Sequence, residues 1–507
     1  MVNSKIKTLD ELAEVIQNLK AEGKTVAHCH GVFDLMHLGH IKHLEAAKKA
    51  ADVLVVTITQ DQYVNKGPGR PVFTADLRAE TIASLACVDY IAINQWPNAV
   101  EAIKKLKPNF YVKDREYRVG LNDPTRGLYK ENEAIKSVGG EIYFTEEITF
   151  SSSNLLNSHF NIYPEPVRVF LQKIKEKYSI DEIKQRFQQL KKMKVLVVGE
   201  AVIDEYHFCS PLGKAGKENL VVMKYLNEEA YAGGALALVN HLAGFCDDVH
   251  LVTCLGSKDS KIDFIARSLK PNIGTKFFYR DDTCSIVKRR FVDAAFLNKL
   301  FEIYYFDDSS LPPAVRDQIK NYLSNAVPEY DLVIVLDYAH GFLDQDLIDL
   351  ICQKAKFLAV NTQTNSANYG FNLITKYPRA DYICLDVQEL RLATHQKFSP
   401  VEDLIKEVVA KSQTEKAIVT LGHRGSMSYC AREGFSYAPV LSNKVVDRIG
   451  AGDAFLAVTS PCVAAGFPMD LVGFIGNLAG AFKVQIVGNK SAIDASIFLK
   501  SIGALLK

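Results

Sequence analysis

Two short stretches of this 507-residue chain carry residue types and spacings suited to handling phosphate. The first is His30-Gly31-Val32-Phe33-Asp34-Leu35-Met36-His37-Leu38-Gly39-His40. His37 and His40 stand three apart where a helix should begin, directly after a strand pattern, so both imidazoles fall on one face. They neighbour the free N–H groups and positive end of that helix. Such a place binds anions. Imidazoles there can donate hydrogen bonds to a phosphate whose charge rises during in-line attack. Gly31 would let the backbone approach a nucleotide, and Gly39 would sit beneath the helix turn. No third and fourth ligands occur at zinc spacing.

The second stretch is Asp447-Arg448-Ile449-Gly450-Ala451-Gly452-Asp453-Ala454-Phe455. Its glycines permit a tight loop whose N–H groups converge on one concavity. Asp453 sits at the rim, where a carboxylate can take the proton of a hydroxyl attacking a γ-phosphate. A helix is expected after it, with Pro461 kinking or interrupting that helix. Asp386-Val387-Gln388-Glu389 resembles an Asn-x-x-Glu element that ribokinase-type sugar kinases use near magnesium and phosphate, which implies that Asp386 and Glu389 could organise Mg²⁺ through water. The chain contains no Gly-x-x-x-x-Gly-Lys-Ser/Thr, so a P-loop kinase is excluded.

The elements that must position these stretches alternate between strand and helix. Leu9, Leu12, Val15, Ile16 and Leu19 give a leading helix over 5–22. Strands are expected at Thr25–Cys29, Val53–Ile58, Tyr90–Ile93 and Phe110–Val112, with helices near 39–51, 76–86 and 98–106. A second set runs through Val195–Val198, Val249–Thr253, Leu332–Leu336, Phe357–Val360, Tyr382–Leu385 and Ala417–Thr420. This alternation predicts α/β domains built on parallel sheets with both faces covered. The texture changes at 219–233 and 284–306, where alternating patterns suit half-exposed strands of a small lid or dimer sheet. The reading is therefore residues 1–160 as one domain, 161–192 as a helical linker rich in Lys, Glu and Gln, and 193–507 as a second domain.

Composition narrows the function class. Sixty basic residues balance 59 acidic ones, for a formal charge of +1, so nothing electrostatic points to nucleic acid or an anionic membrane. Phosphate binding must come from local sites. No apolar run is long enough for a membrane span and the start lacks a signal-peptide pattern. Ten cysteines without a Cys-x-x-Cys pair read as reduced thiols of a cytoplasmic protein.

The first stretch resembles the nucleotidyltransferases that carry an HxGH signature, and most nearly the adenylyltransferase domain of bacterial bifunctional heptose-phosphate kinase/adenylyltransferases. Lys66-Gly67-Pro68-Gly69-Arg70-Pro71-Val72 resembles that family's basic loop. Arg78 falls where its helix arginine stands, Val112-Lys113-Asp114-Arg115 resembles its lysine loop, and Ser151-Ser152-Ser153 its serine run at a helix start. The resemblance implies a Rossmann-like domain with His37 and His40 as catalytic residues. Gly31, Phe33, Lys66, Arg78, Lys113, Ser151, Ser152 and Ser153 would hold the nucleotide. The segment Arg118 to Gly127 departs from the family where the acceptor should bind.

Residues 193–507 resemble the ribokinase-type sugar kinases, which implies a ribokinase-like α/β domain with a small β lid. Asp453 would be the catalytic base and Gly450, Ala451 and Gly452 the anion hole. Thr420, Gly422, Gly425 and Asn477 would lie by the nucleotide, and Asp204, Gly233 and Gly234 by the sugar. Against the heptose kinases, Glu200 replaces an aspartate, Ala237 an asparagine and Asn361 an aspartate, and the domain order is inverted. Together the resemblances imply a bifunctional sugar-activating enzyme that uses Mg²⁺ and ATP, with CTP as the alternative in the transferase. Its partners would be a sugar or sugar phosphate and a nucleoside triphosphate, and it would dimerise through the lid. The alternative is a cytidylyltransferase for a polyol phosphate with a degenerate, ligand-sensing kinase-like domain.

Overall fold

The structure is a computed structural model that describes residues 2–64, 70–115, 127–145, 163–442 and 445–506. The chain divides into two compact units, residues 1–165 with 500–507, and residues 166–499.

The first unit is built on a five-stranded sheet. Its strands are β1 (Val26–Gly31), β2 (Val53–Thr59), β3 (Tyr90–Asn94), β4 (Phe110–Asp114) and β5 (Glu141–Thr145). They pair in parallel in the order β3-β2-β1-β4-β5. Every residue of β2 is buried, which accounts for its unbroken apolar run, Val53-Leu54-Val55-Val56. β5 is absent from the sequence reading because it lies at the sheet edge and is mostly exposed or half-buried. The chain steps outward from β1 to β2 and β3, then crosses back to β4 on the other side of β1, so the order reverses between β1 and β4. The crevice beyond their carboxyl ends is where open α/β sheets bind ligands. The helix Leu38–Lys49 begins there.

The second unit holds a nine-stranded sheet. β6 (Lys194–Gly199), β9 (Asp248–Gly256), β10 (Ile273–Arg280), β13 (Leu332–Asp337), β14 (Leu358–Thr362), β15 (Tyr382–Asp386) and β16 (Lys416–Thr420) run parallel. β17 (Ser426–Cys430) and β18 (Gly434–Ala438) close one edge antiparallel. The order is β10-β9-β6-β13-β14-β15-β16-β17-β18, so the switch point lies between β6 and β13. The expected lid is a separate four-stranded sheet, ordered β12-β11-β7-β8, formed by β7 (Ala201–Lys214), β8 (Val221–Gly234), β11 (Ile286–Asp293) and β12 (Lys299–Tyr305).

Two expectations change here. Residues 165–190, read as a linker, form the helices Glu165–Lys177 and Ile180–Leu190, which pack into the second unit. Phe170 meets Phe474, Phe187 meets Phe245 and Phe467, and the Tyr178 hydroxyl donates to Asp470 at 2.6 Å. The Lys/Glu/Gln richness is the exposed face of two amphipathic helices. Pro461 lies inside an unbroken helix, Ala451–Ala464. Burial from Asp453 to Val463 holds that helix against the ~3 kcal/mol that an interior proline costs.

Candidate active sites

In the first unit, His37 caps the helix Leu38–Lys49, its Nδ1 accepting from the His40 N–H at 3.4 Å. The two imidazoles stack with centroids 3.8 Å apart, and Phe33 meets His40 edge-on at 5.3 Å. The expected pairing of the two histidines at the helix start is therefore present. Burial lowers the His37 pKa, which favours the neutral ring. Two stacked imidazolium ions would also repel one another, so the pair is suited to gaining a proton only when an anion arrives.

The residues around the pair hold it by charge and backbone. Asp34 is buried and accepts from Arg70 Nε at 2.6 Å and from the N–H groups of Val72 and Phe73 at 2.6 and 3.2 Å. His30 bridges β1 and β2, its Nδ1 2.9 Å from Thr57 Oγ1, and burial holds its pKa down to about 3. Lys113, at the end of β4, lies 3.4 Å from the Glu131 carboxylate.

Two roles read from sequence change. Gly31 lacks a side chain because the Phe33 ring folds over it; a Cβ there would come within 2.9 Å of that ring. Phe33 does so in a left-handed conformation, φ +50°. Arg78, expected to neutralise triphosphate, is 1% exposed and already engaged. Its guanidinium donates to the carbonyls of Val32, Phe73 (2.9 Å) and Thr59 (2.9 Å) and to Asp61 (2.5 Å). It ties the loops together beneath the histidines. Arg78→Leu is expected to destabilise the first unit by ~1–3 kcal/mol, measured by denaturant unfolding, because the Thr59 carbonyl would be left buried and unpaired. Lys66 and Ser151, Ser152 and Ser153 lie outside the described residues.

In the second unit, a cleft of about 480 Å³ opens at the carboxyl ends of β13 to β16. Asp204, Gly234, Asp386, Glu389, Thr420, Gly450, Gly452 and Asp453 all line it, so residues up to 249 positions apart come together there. Gly450 adopts φ +76° ahead of the helix Ala451–Ala464, and Asp453 sits in that helix's first turn. The Tyr338 hydroxyl donates to Asp453 Oδ1 at 3.3 Å. Burial, with the charge of Asp204 adding to it, raises the Asp453 pKa to about 7. A carboxyl with that pKa is matched to accepting a proton near neutral pH.

Asp386 caps the helix Val387–Thr394, and Glu389 completes the capping box by accepting from the Asp386 N–H at 2.8 Å. Burial and the neighbouring Asp386 charge raise Glu389 to about 8. A cation in the cleft would relieve that strain, which suits these two carboxylates to Mg²⁺. Among the described residues no group of three His, Cys, Asp or Glu side chains is placed to hold a metal ion.

Several assignments differ from the sequence reading. Asn477, expected beside adenine, spends its amide N–H groups on Ser426 Oγ (2.7 Å), Gly473 O (3.0 Å) and Ala438 O (3.3 Å). Gly425 forms the turn beside β17, where a Cβ would meet Ala438 O at 2.1 Å. Gly233 makes room for Asp204 rather than for sugar; its Cβ would lie 2.2 Å from Asp204 Oδ2. Asp204 itself is buried against Arg290, whose Nε reaches Glu302 at 3.0 Å. Gly422 and Ala451 are not among the described residues that line the cleft.

The sequence reading missed Lys288, Arg290, Tyr304 and Gln363, which also line it. Lys288 is buried over the rings of Tyr304 and Tyr338, 4.8 and 5.0 Å from their centroids. The available signal was the run Lys288-Arg289-Arg290 in a strand otherwise apolar, where inward-facing cations are out of place without an anionic partner.

A parallel sheet whose carboxyl edge carries a glycine-bounded helix start and an aspartate, under a small lid sheet, defines the second unit as a carbohydrate kinase. Residues 192–495, more than half of the chain, match the pfkB family carbohydrate kinases, and this chain belongs to that family. Residues 28–158 match the cytidylyltransferase-like family. The chain is 36% identical over 169 residues to Bifunctional protein HldE of Geobacter metallireducens, covering 32% of each chain. Over 141 residues it is 36% identical to Bifunctional protein HldE of Aliarcobacter butzleri, covering 27% of this chain and 29% of that one. The chain thus spans about a third of the length of the curated relatives it matches. Phosphofructokinase-2 of Escherichia coli in complex with fructose-6-phosphate shares the fold, with TM-score 0.50 at 11% identity over 62% of this chain and 100% of that one.

Proposed function

We propose that the chain is a bifunctional sugar-activating enzyme. The second unit phosphorylates a sugar or sugar phosphate from ATP. The first transfers a nucleoside monophosphate from a triphosphate to a sugar 1-phosphate and releases pyrophosphate, in the manner of ADP-heptose synthesis. The observation that carries this reading is Asp453, tuned to near-neutral pKa, at a helix start that closes an anion-binding loop in a cleft.

In the kinase, the acceptor hydroxyl attacks the γ-phosphorus while its proton passes to Asp453. The bond to the β-phosphate oxygen breaks and ADP leaves with the electron pair. The N–H groups of Gly452 and Asp453, in the first turn of the helix, would face the charge that moves onto the phosphoryl oxygens, while that of Ala451 donates to Arg448 O at 3.3 Å. Mg²⁺, held through water by Asp386 and Glu389, would supply charge neutralisation of the phosphates. In the transferase, the sugar phosphate oxygen attacks the α-phosphorus and pyrophosphate departs, with His37 and His40 donating to the phosphates.

The transferred group is AMP on the heptose-enzyme resemblance; the cytidylyltransferase-like match supports CMP as the second reading. The degenerate-kinase alternative draws on Asp204, whose carboxylate is already paired with Arg290. A panel of sugars and sugar phosphates assayed with ATP, alongside pyrophosphate release with ATP against CTP, decides between them. Wild-type kinase turnover no better than that of Asp453→Asn would sink the active-kinase reading.

We also propose a homodimer through the lid, a cytoplasmic location, and no nucleic-acid partner. Val221, Tyr225, Phe301 and Ile303 stand exposed on the lid sheet, an apolar surface larger than single scattered side chains require. A monomeric mass in solution would refute the dimer. The described cysteines are all free, and no described helix is long and apolar enough to cross a membrane.

A further inference from the structure

The second unit holds another cavity, of about 580 Å³, between β8, the helices Ala235–Leu242 and Ile262–Ser268, and residues 489–492. It shares no lining residue with the catalytic cleft, and nothing in the reaction as written above uses it. Its walls carry three cations, Arg267, Lys270 and Lys490, against one carboxylate, Glu229. Glu229 is held by the Tyr231 hydroxyl and by Lys490 at 3.4 Å. Arg267 spends only its Nε, on Asp263 O at 3.1 Å. Lys270 is half-buried, and burial lowers its pKa while the charge of Asp494 opposes that fall. An ammonium drawn partly out of water beside a guanidinium gains most from an anion that bonds to both.

Two neutral groups point the same way. His241 is 1% exposed, and its Nδ1 accepts from the Ile493 N–H at 3.1 Å. Burial holds its pKa down to about 3, so the ring is neutral and its proton sits on Nε2. No described residue accepts that N–H. Asn489 has both amide atoms buried and without a partner among the described residues. The frame around them is fixed. Asn240 donates to Ser268 O at 2.9 Å and accepts from the Lys270 N–H at 3.0 Å, which sets both residues against the helix Ala235–Leu242. The rings of Tyr231 and Phe264 add apolar wall, and the volume exceeds what a bare phosphate ion fills.

We propose that this cavity binds a phosphate monoester, its phosphate on Lys270, Arg267 and the His241 Nε2–H and a hydroxyl of its carrier on Glu229. The site stands whether or not the catalytic cleft is an active kinase. It also touches that cleft's frame, because β8 runs on from Glu229–Ala232 into Gly233, packed on Asp204, and Gly234, which lines the cleft.

The full chain is titrated with glucose 1-phosphate, with AMP and with inorganic phosphate, glucose serving as the uncharged control. Amide hydrogen exchange is read across the whole molecule. A monoester is expected to slow exchange at 229–241, 264–270 and 489–493, equally in wild type and in Asp453→Asn. Glucose should slow none of it. Lys270→Met should raise the Kd about tenfold or more, since a charge-assisted bond to phosphate is lost. Arg267→Gln should raise it in the same direction, and it alters an exposed side chain, so it keeps the test intact if Lys270→Met fails to fold.

A lower Kd for glucose 1-phosphate than for AMP assigns the site to sugar phosphates, and the reverse order assigns it to nucleotides. Three results overturn the proposal: no slowing at these segments by either ester, slowing that Arg267→Gln leaves unchanged, or inorganic phosphate binding as tightly as both esters.

Discussion

His40→Ala in the full chain is expected to cut pyrophosphate release by ~10²–10³-fold, with His37→Ala falling in the same range. The magnitude follows from geometry. His37 caps the helix Leu38–Lys49 and His40 stands on its first turn, the rings stacked at 3.8 Å where N–H groups and the helix dipole already favour an anion. Each ring can donate to a phosphate oxygen, and such bonds strengthen as the α-phosphorus is attacked. His37 has a second task, since its Nδ1 caps the helix by accepting from the His40 N–H. Losing it should also cost ~1 kcal/mol of stability, visible as a lower melting temperature that His40→Ala does not share. Release that is unchanged in both variants would remove the histidines from the chemistry. The kinase of the same chain provides the internal control, since its turnover should not move.

Asp453→Asn is expected to lower kinase turnover by ~10²–10⁴-fold, because the attacking hydroxyl loses its proton acceptor. Wild-type kcat/KM should rise with pH through about 7, where this carboxyl ionises. The same substitution should stabilise the protein above pH 7. Unfolded, an aspartate ionises near 3.8; folded, burial and Asp204 raise this one to about 7. Its contribution to stability is therefore full below about 4 and is lost as pH climbs through 7, where the folded site must hold an unwelcome charge. Asparagine removes that charge, so a melting temperature a few degrees above wild type is expected at pH 8, with the difference shrinking as pH falls below 7 and vanishing below about 4. A variant that loses activity without this pH-dependent gain would mean that Asp453 is not the strained carboxyl of the cleft. Glu389, raised to about 8, is another carboxyl of the cleft whose charge burial opposes in the same way.

The sequence alone determined the two α/β units and the lid. Those features are written locally. Buried parallel strands appear as apolar runs such as Leu332 to Leu336, and a phosphate-binding helix start needs its glycines and polar residues within a few positions of one another. The lid was legible in the same way, from alternating patterns over 219–233 and 284–306.

Only the tertiary structure decided the roles that depend on what lies opposite. Arg78 and Asn477 carry groups that suit a nucleotide, yet their donors are spent on backbone carbonyls and a serine drawn from elsewhere in the chain. The helices Glu165–Lys177 and Ile180–Leu190 looked solvated because half of each is, while their aromatic stripe waits for Phe474 and Phe245, up to about 300 positions away. Lys483 carries no local mark at all in an apolar helix end. Its buried ammonium donates to two carbonyls, Ile449 O 34 residues before it and Gly488 O 5 after, which meet it only once the chain has folded. Local pattern decides which groups are present and which element bears them; burial and partners, which set charge state and free valence, are properties of the packed molecule.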